Sequence, residues 1–350
     1  MFKHLACTLG RVLTVALLTA ALPAPPPATA DEPIIIDHTC TDLSQVPAYW
    51  IEQAKLLTIH YAHTSHGSQV NSGAELLETQ HPFYSFARRQ SGTEGLPPEE
   101  DPPALRMYDG NPPETYINPE DYWESDDGRN RTRAVADTGH YNFSMWSWCG
   151  QLSWYSESSV QNYLDVMNQF ETEYPDMRFI LMTGHTDGSG VDGTLNRNNN
   201  LIRQYALDHN MVLFDFADIE SWDPDGVWYL PLGCNDNGDY DGGNWPSEWC
   251  AAHPDSELCD YCSCAHSQAI ICNLKGRAFW WMMARLAGWS GSPAGDIDND
   301  GDVDLADLAT LLACYGACTG DAAYNLAADF DGSGCVDLGD LNVLLAHYQQ

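Results

Sequence analysis

Basic residues are few in this chain. Fifteen Lys and Arg stand against 50 Asp and Glu in 350 residues, a formal charge of −35. A protein that grips phosphate backbones needs a basic footprint, so nucleic-acid binding is excluded as a main role. The acidity itself serves solubility unless it is organised into ligand loops. Apolar runs of membrane-spanning length are also missing, so no membrane span is expected. The apolar run Val12–Leu22 is too short for one. It follows the basic Lys3 and Arg11 and precedes Ala28-Thr29-Ala30, a small-residue cleavage site. Residues 1–30 therefore read as a secretory signal cleaved after Ala30, which predicts a secreted, extracellular protein.

Of 12 cysteines, Cys7 leaves with that signal. Eight of the remaining eleven fall in residues 40–272 and three in residues 314–335. Export favours disulfides, and the odd number leaves at least one free or intermolecular thiol. The run Cys259-x-x-Cys262-x-Cys264-x-His266 also has zinc-ligand spacing, although an oxidising compartment favours bridges.

Two units are expected. Residues 31–289 form a large domain, a small-residue linker covers 290–295, and residues 296–350 form a second module with its own repeat. In the large domain, Leu56–Ala62 reads as a buried strand and Val70–Glu78 as the start of a helix. Between them lies His63-Thr64-Ser65-His66-Gly67-Ser68-Gln69. A serine at a strand-to-helix turn is where hydrolytic α/β enzymes expose a nucleophile, beside unpaired helix N–H groups. An ordinary capping loop has the same look. A long irregular region follows, about residues 80–140. Its aromatics Tyr108, Tyr116, Tyr122 and Trp123 either stack on sugars or, the simpler reading, pin the loop to the core. Strands are then expected at 143–148, 179–182 and 211–214, with helices at 157–173, 195–209 and 274–286. This alternation predicts an α/β fold, a three-layer parallel sheet with helices on both faces. Ligand sites in such sheets lie beyond the C-terminal strand ends, where Ser65, Gln151 and His185 all fall.

The order of these elements, with His63-x-Ser65-x-Gly67 followed by Gly73 and a late His266 before the final helix, resembles the SGNH (GDSL-type) hydrolase superfamily. The resemblance implies Ser65 as nucleophile, His266 as general base and Gln151 in place of the usual oxyanion Asn. It departs from the family in three ways. Ser263 stands where Asp-x-x-His would put the orienting acid, and the nearest upstream acid is Asp260. The Gly-x-Asn-Asp block is missing. Gly139 is only a loose match to the family's second glycine. His185 is a rival base or substrate contact. His60, His63 and His66 could instead hold a metal, although His60 and His63 point to different faces of a strand.

The tail carries the densest pattern. Asp296, Asp298, Asp300, Gly301, Asp302, Asp304 and Asp307 are repeated thirty-three residues later as Asp329, Asp331, Ser333, Gly334, Cys335, Asp337 and Asp340. Both copies have oxygen donors around a sharp glycine turn and precede an apolar helix, which predicts two Ca²⁺ loops. Asn237–Glu248 fits the same spacing more loosely, as a possible third. The duplicated loop-then-helix resembles a type I dockerin, a small all-α module. That resemblance implies a cohesin-type domain or cell-surface scaffold as partner, a Cys318–Cys335 bridge and a free Cys314. Leu305-Ala306 and Leu338-Gly339 depart from the usual Ser-Thr-like recognition pair. The combined expectation is a secreted esterase removing acyl groups from a polysaccharide. Its rivals are a non-catalytic glycan-binding protein on the same fold and a polysaccharide lyase using the His cluster and tyrosines.

Overall fold

A computed structural model describes residues 32–90, 95–298 and 302–348. The expected signal, residues 1–30, lies outside them. In chain order the large domain begins with β1 (Ile34–Ile36), α1 (Ala48–Ala54), β2 (Thr58–His63) and α2 (Ser68–Gln80). Next come β3 (Phe86–Gln90), β4 (Leu105–Asp109), α3 (Asp126–Ala136), β5 (Phe143–Ser147) and α4 (Glu157–Glu173). It continues through β6 (Arg178–Met182), α5 (Thr194–Asp208), β7 (Val212–Phe214) and α6 (Phe216–Ser221). A small hairpin, β8 (Asp239–Tyr240) and β9 (Gly243–Asn244), leads to α7 (Trp245–Ala252) and α8 (Ala269–Leu286). The tail holds α9 (Leu305–Cys314) and α10 (Leu338–His347).

Seven strands form one sheet in the order β1-β7-β6-β5-β2-β4-β3. Every pairing in it is parallel. The central strands β2 and β5 are buried along their whole length, as expected when both faces are covered. Helices α1, α2 and α6 pack on α8, while α4 packs on α5; this fits the expected three-layer arrangement. All the strands run the same way, so their C-terminal ends share one edge. The chain leaves β2 toward β3 on one side and β5 toward β6 on the other, so a crevice opens between the C-terminal ends of the neighbours β2 and β5.

The region expected to be irregular, 80–140, contains two sheet strands and a helix. Strand β3 reads as polar because of Arg88 and Arg89. Arg88 is admitted to the sheet by Glu75 at 2.7 Å and the buried Asp109 at 2.8 Å. Helix α3 has few apolar residues and buries a face of Gly128, Thr132, Val135 and Ala136; it starts on a cap in which the Ser125 hydroxyl accepts from Gly128 N. Tyr108, Tyr122 and Trp123 are fully buried in the core, whereas Tyr116 is exposed. Strand β1 and helix α1, three and seven residues long, are too short to announce themselves.

Helices α2 and α8 cross at a pair of glycines. A Cβ on Gly73 would lie 1.8 Å from the Cys272 carbonyl oxygen, and one on Gly276 would lie 2.2 Å from the Gly73 carbonyl carbon. Only hydrogen fits on either side. Ser65 sits just before α2 and His266 just before α8, so this contact sets how closely the two approach.

The crossing gives a test with a sign. In an open helix Gly→Ala stabilises by about 0.5–1 kcal/mol. Gly276→Ala should instead cost on the order of 1–3 kcal/mol through overpacking, read from urea unfolding. A neutral or stabilised variant would contradict the close crossing.

Candidate functional site

The turn after β2 carries Ser65 to the crevice. Gly67 belongs there for want of space: a Cβ would come within 2.3 Å of the His63 Cβ, 2.7 Å of the Tyr61 hydroxyl and 2.8 Å of the Ser147 Cβ. The Tyr61 hydroxyl donates to Gly67 O at 2.9 Å and holds the turn down. Behind it, His63 Nε2 lies 2.9 Å from Asp109, which also accepts from Asn71 at 3.0 Å.

His266 arrives from the other side. Its backbone is left-handed, φ 63°, a conformation a non-glycine residue adopts only when its surroundings impose it. The Cys264–Cys272 disulfide staples its loop to α8. Gln69, in the first turn of α2, donates to Ala265 O at 2.5 Å. The result is a 3.0 Å hydrogen bond between His266 Nε2 and the Ser65 hydroxyl. Among the described residues no carboxylate bonds to the His266 ring, so Ser65 and His266 form a dyad. Asp260, the nearest upstream acid, accepts instead from Gln80 at 2.9 Å. The backbone N–H groups of His66 and Gly67 donate to no protein acceptor among the described residues, which leaves them available to an oxyanion.

Gln151 lies in a short 3₁₀ turn after β5 and accepts from Cys149 N at 2.9 Å. Its amide nitrogen has no protein partner among the described residues. His185 is not a base for Ser65. Its Nδ1 donates to Thr186 O at 2.8 Å, and its ring stacks on His66 at 3.8 Å. His66 in turn stacks on His266 at 4.4 Å, so three imidazoles form one column. His66 is held edge-on by two further groups that sequence reasoning missed. Its Nε2 meets Asp236 at 2.9 Å and its Nδ1 meets the Cys149 thiol at 3.3 Å. Asp236 comes from a loop with no catalytic spacing, and Cys149 is one unremarked thiol among eleven; neither carries a sequence signal. Burial works against the His66 charge, but Asp236 and Cys149 outweigh it and push its pKa up to about 9.

His66, His185 and Asp236 offer ligand atoms within 4.8 Å of one another. The two rings lie face to face, so their lone pairs run parallel instead of converging, and both His66 nitrogens are already engaged. The arrangement is a hydrogen-bonded set, not a chelate. The alternative His60–His63–His66 metal group does not assemble either. His60 is wholly buried, bonds Ser144 and Gly110 O, and has its pKa pushed down to about 4 by burial. The zinc reading of the Cys-rich run fails because Cys259 pairs with Cys250 and Cys264 with Cys272.

A buried pair ties these loops together. Lys275 and Glu220 are both fully buried, and their charged ends meet at 2.5 Å. Lys275 also donates to Gln69 at 2.5 Å, and Glu220 accepts from the Thr186 hydroxyl at 2.9 Å.

In the tail the two copies repeat each other bond for bond. Asp307 accepts from Ile297 N at 2.6 Å and Asp304 N at 2.8 Å; Asp340 accepts from Phe330 N and Asp337 N at the same distances. Carboxylates gather as Asp296, Asp298 and Asp307, as Asp302, Asp304 and Asp307, and as Asp329, Asp331 and Asp340. Asp300 lies outside the described residues. One oxygen of Asp329 is buried without a hydrogen-bond partner, and burial raises the Asp340 pKa. Crowded, partly desolvated carboxylates with an orphaned oxygen fit a divalent cation. Cys318 and Cys335 are bridged, Cys314 is free, and Ser333 donates to Cys335 O at 3.0 Å. At Asn237–Glu248 the oxygens serve the hairpin itself: Asp239 accepts from Asn237 and Asn244, and Glu248 from Tyr240.

The chain matches no protein-family model, no curated protein and no solved structure.

Two outcomes follow. Chelator added to calcium-loaded full-length protein should make the tail protease-sensitive while the sheet domain resists. A site filled at a hundredfold over its Kd contributes about 2.7 kcal/mol, so unchanged cleavage would contradict the loops. The pKa of His66 is raised on folding, so the stabilisation from its charge is complete below about pH 6.5 and disappears as pH rises through about 9. Asp236→Asn should flatten that slope in melts taken across the range.

Proposed function

We propose that the chain is a secreted serine hydrolase of the SGNH type, an esterase that removes acyl groups from a polysaccharide. The observation that carries this reading is the 3.0 Å contact between His266 Nε2 and the Ser65 hydroxyl, at the C-terminal edge of a parallel sheet. His266 takes the hydroxyl proton as Ser65 attacks the acyl carbonyl, then returns it to the leaving sugar oxygen. The His66 and Gly67 N–H groups hold the tetrahedral oxyanion, with the unpaired Gln151 amide as a further donor. The acyl-enzyme is then hydrolysed by water activated by the same imidazole.

Two exposed aromatics support a sugar substrate. Trp154 is 67 % exposed and lies over Gly150. Tyr116 is 54 % exposed and precedes Ile117, whose N–H is bonded to His63 O at the end of β2. Both rings offer exposed flat faces for pyranose stacking. The tail, with two Ca²⁺ held by the paired aspartate loops, acts as a dockerin-like tether to a cohesin-type domain or a cell-surface scaffold. The lack of a carboxylate on His266 favours a second reading, a glycan-binding protein with the same crevice and no turnover. The lyase reading draws no support from Tyr108, Tyr122 or His60, all of them buried.

Ser65→Ala and His266→Gln should each lower kcat on acetylated polysaccharide by about 10³-fold or more, with polysaccharide binding retained. Wild-type protein that binds glycan without turnover would select the second reading. Undiminished kcat in Ser65→Ala would sink the serine mechanism.

A further inference from the structure

Cys149, His66 and Asp236 are arranged as nucleophile, base and orienting acid. The thiol lies 3.3 Å from His66 Nδ1, and the opposite ring nitrogen, Nε2, lies 2.9 Å from the Asp236 carboxylate. The Ser65–His266 pair lacks that third member. Cys149 is a half-buried free thiol just beyond the end of β5, and Ser65 is just beyond the end of its neighbour β2, so both open on one crevice. The ring between His185 and His266 cannot tilt away, because it is stacked on both faces. Asp236 is fixed through its loop. Gly188 N donates to Cys234 O at 3.2 Å, Gln268 donates to Asn237 at 2.9 Å, and the Trp245 indole donates to Glu220 O at 3.2 Å.

We propose that Cys149, His66 and Asp236 form a second nucleophilic centre, a cysteine triad that accepts acyl groups from esters or thioesters entering the crevice. The resting pair is thiolate and imidazolium. Sγ attacks the acyl carbonyl carbon and forms a C–S bond. As the C–O or C–S bond to the leaving group breaks, that group takes the His66 Nδ1 proton. Neutral His66 then removes a proton from water, and the resulting hydroxide attacks the thioester. The C–S bond to Cys149 breaks, the thiolate departs, and the proton stays on His66. The net reaction is hydrolysis, and the resting pair is restored.

The surroundings favour that charge state. The groups facing Cys149 are His66, the Thr64 hydroxyl and Gly150 N–H, and His66 leads in drawing the thiol down to about 7 against its burial. Around His66 stand Asp236, Cys149 and the more distant Glu220, with the His185 and His266 rings above and below. Lys275 and Asp187 act at longer range, on Asp236 and on His185. The other free thiols of the sheet domain, Cys40, Cys234 and Cys262, are all pushed up by burial to about 11 or 12. Cys149 is therefore set apart by chemistry as well as position.

The test uses the full chain and iodoacetamide, with peptide mass spectrometry following Cys149. In the wild type the alkylation rate should rise through a midpoint near pH 7. In His66→Gln it should move toward the ordinary thiol value of about 8.5. At pH 6 the thiolate fraction then falls about thirtyfold. The more basic thiolate recovers about fivefold in nucleophilicity, so the rate should drop about sixfold. In Ser65→Ala, p-nitrophenyl acetate followed by acid quench should leave an acetyl group on Cys149. A wild-type midpoint above pH 8, or a profile unchanged in His66→Gln, would overturn the triad. Fast alkylation with no acetyl adduct in Ser65→Ala would overturn its role as acyl acceptor. Neither result depends on Ser65 being a nucleophile, so the two centres stand or fall separately.

Discussion

The buried ion pair of Lys275 and Glu220 is the contact on which the crevice depends. Both side chains are fully excluded from water. Burial draws the Lys275 ammonium down to about 8, with Glu220 opposing the shift. Such a pair is a poor source of net stability, but removing one partner costs on the order of 3–5 kcal/mol by stranding the other. Its geometry explains its place. Lys275 holds Gln69, which in turn holds Ala265 beside His266. Glu220 holds Thr186 beside His185, and its carbonyl oxygen anchors Trp245 at the end of the Asp236 loop. The Lys275 ammonium also lies 3.3 Å from the centre of the Phe216 ring, which lends it a π face in place of water. The pair thus links the loops that carry His266, His185 and Asp236.

On that frame the imidazole column brings a serine and a cysteine, each hydrogen-bonded to a histidine, to one crevice. Ser65 with His266 is an exposed pair without an acid, whereas Cys149 with His66 and Asp236 is a partly buried, charge-paired set. Their bases stack face to face, with ring centres 4.4 Å apart. The close α2–α8 crossing at Gly73 and Gly276 makes this proximity possible. A bulkier residue there would part the helices whose first turns carry the serine and histidine loops.

The strands and helices with strong patterns were legible in the sequence, including β2, β5, β6, α4 and α5, and with them the parallel sheet and the edge where its C-terminal strand ends meet. The pairing of Ser65 with His266 was legible only through the resemblance to the SGNH superfamily, and the two side chains do meet at 3.0 Å. What escaped was whatever depends on a distant partner. Strand β3 hides because its arginine is neutralised by Glu75 and Asp109. Helix α3 hides because its buried stripe is mostly small or polar, Gly128, Thr132, Val135 and Ala136, and ion pairs line the rest; Arg131, for example, pairs with Asp127 at 2.7 Å. Asp236 lies 170 residues from His66 in sequence, a distance no motif spans. The bridges in the Cys-rich run were expected, but the partner of Cys259 was not legible, since Cys250 lies outside the run. In the tail the repeat was plain because each loop is closed by its own residues.

The most direct test of the central claim is to treat mature, calcium-loaded protein with a fluorophosphonate and map the adduct by peptide mass spectrometry. Such reagents trap serine hydroxyls that an adjacent base has activated. The dyad predicts a single adduct on Ser65, lost in His266→Gln. An adduct on Ser68 would move the nucleophile by one turn. No adduct in folded protein would contradict an activated serine at this edge of the sheet.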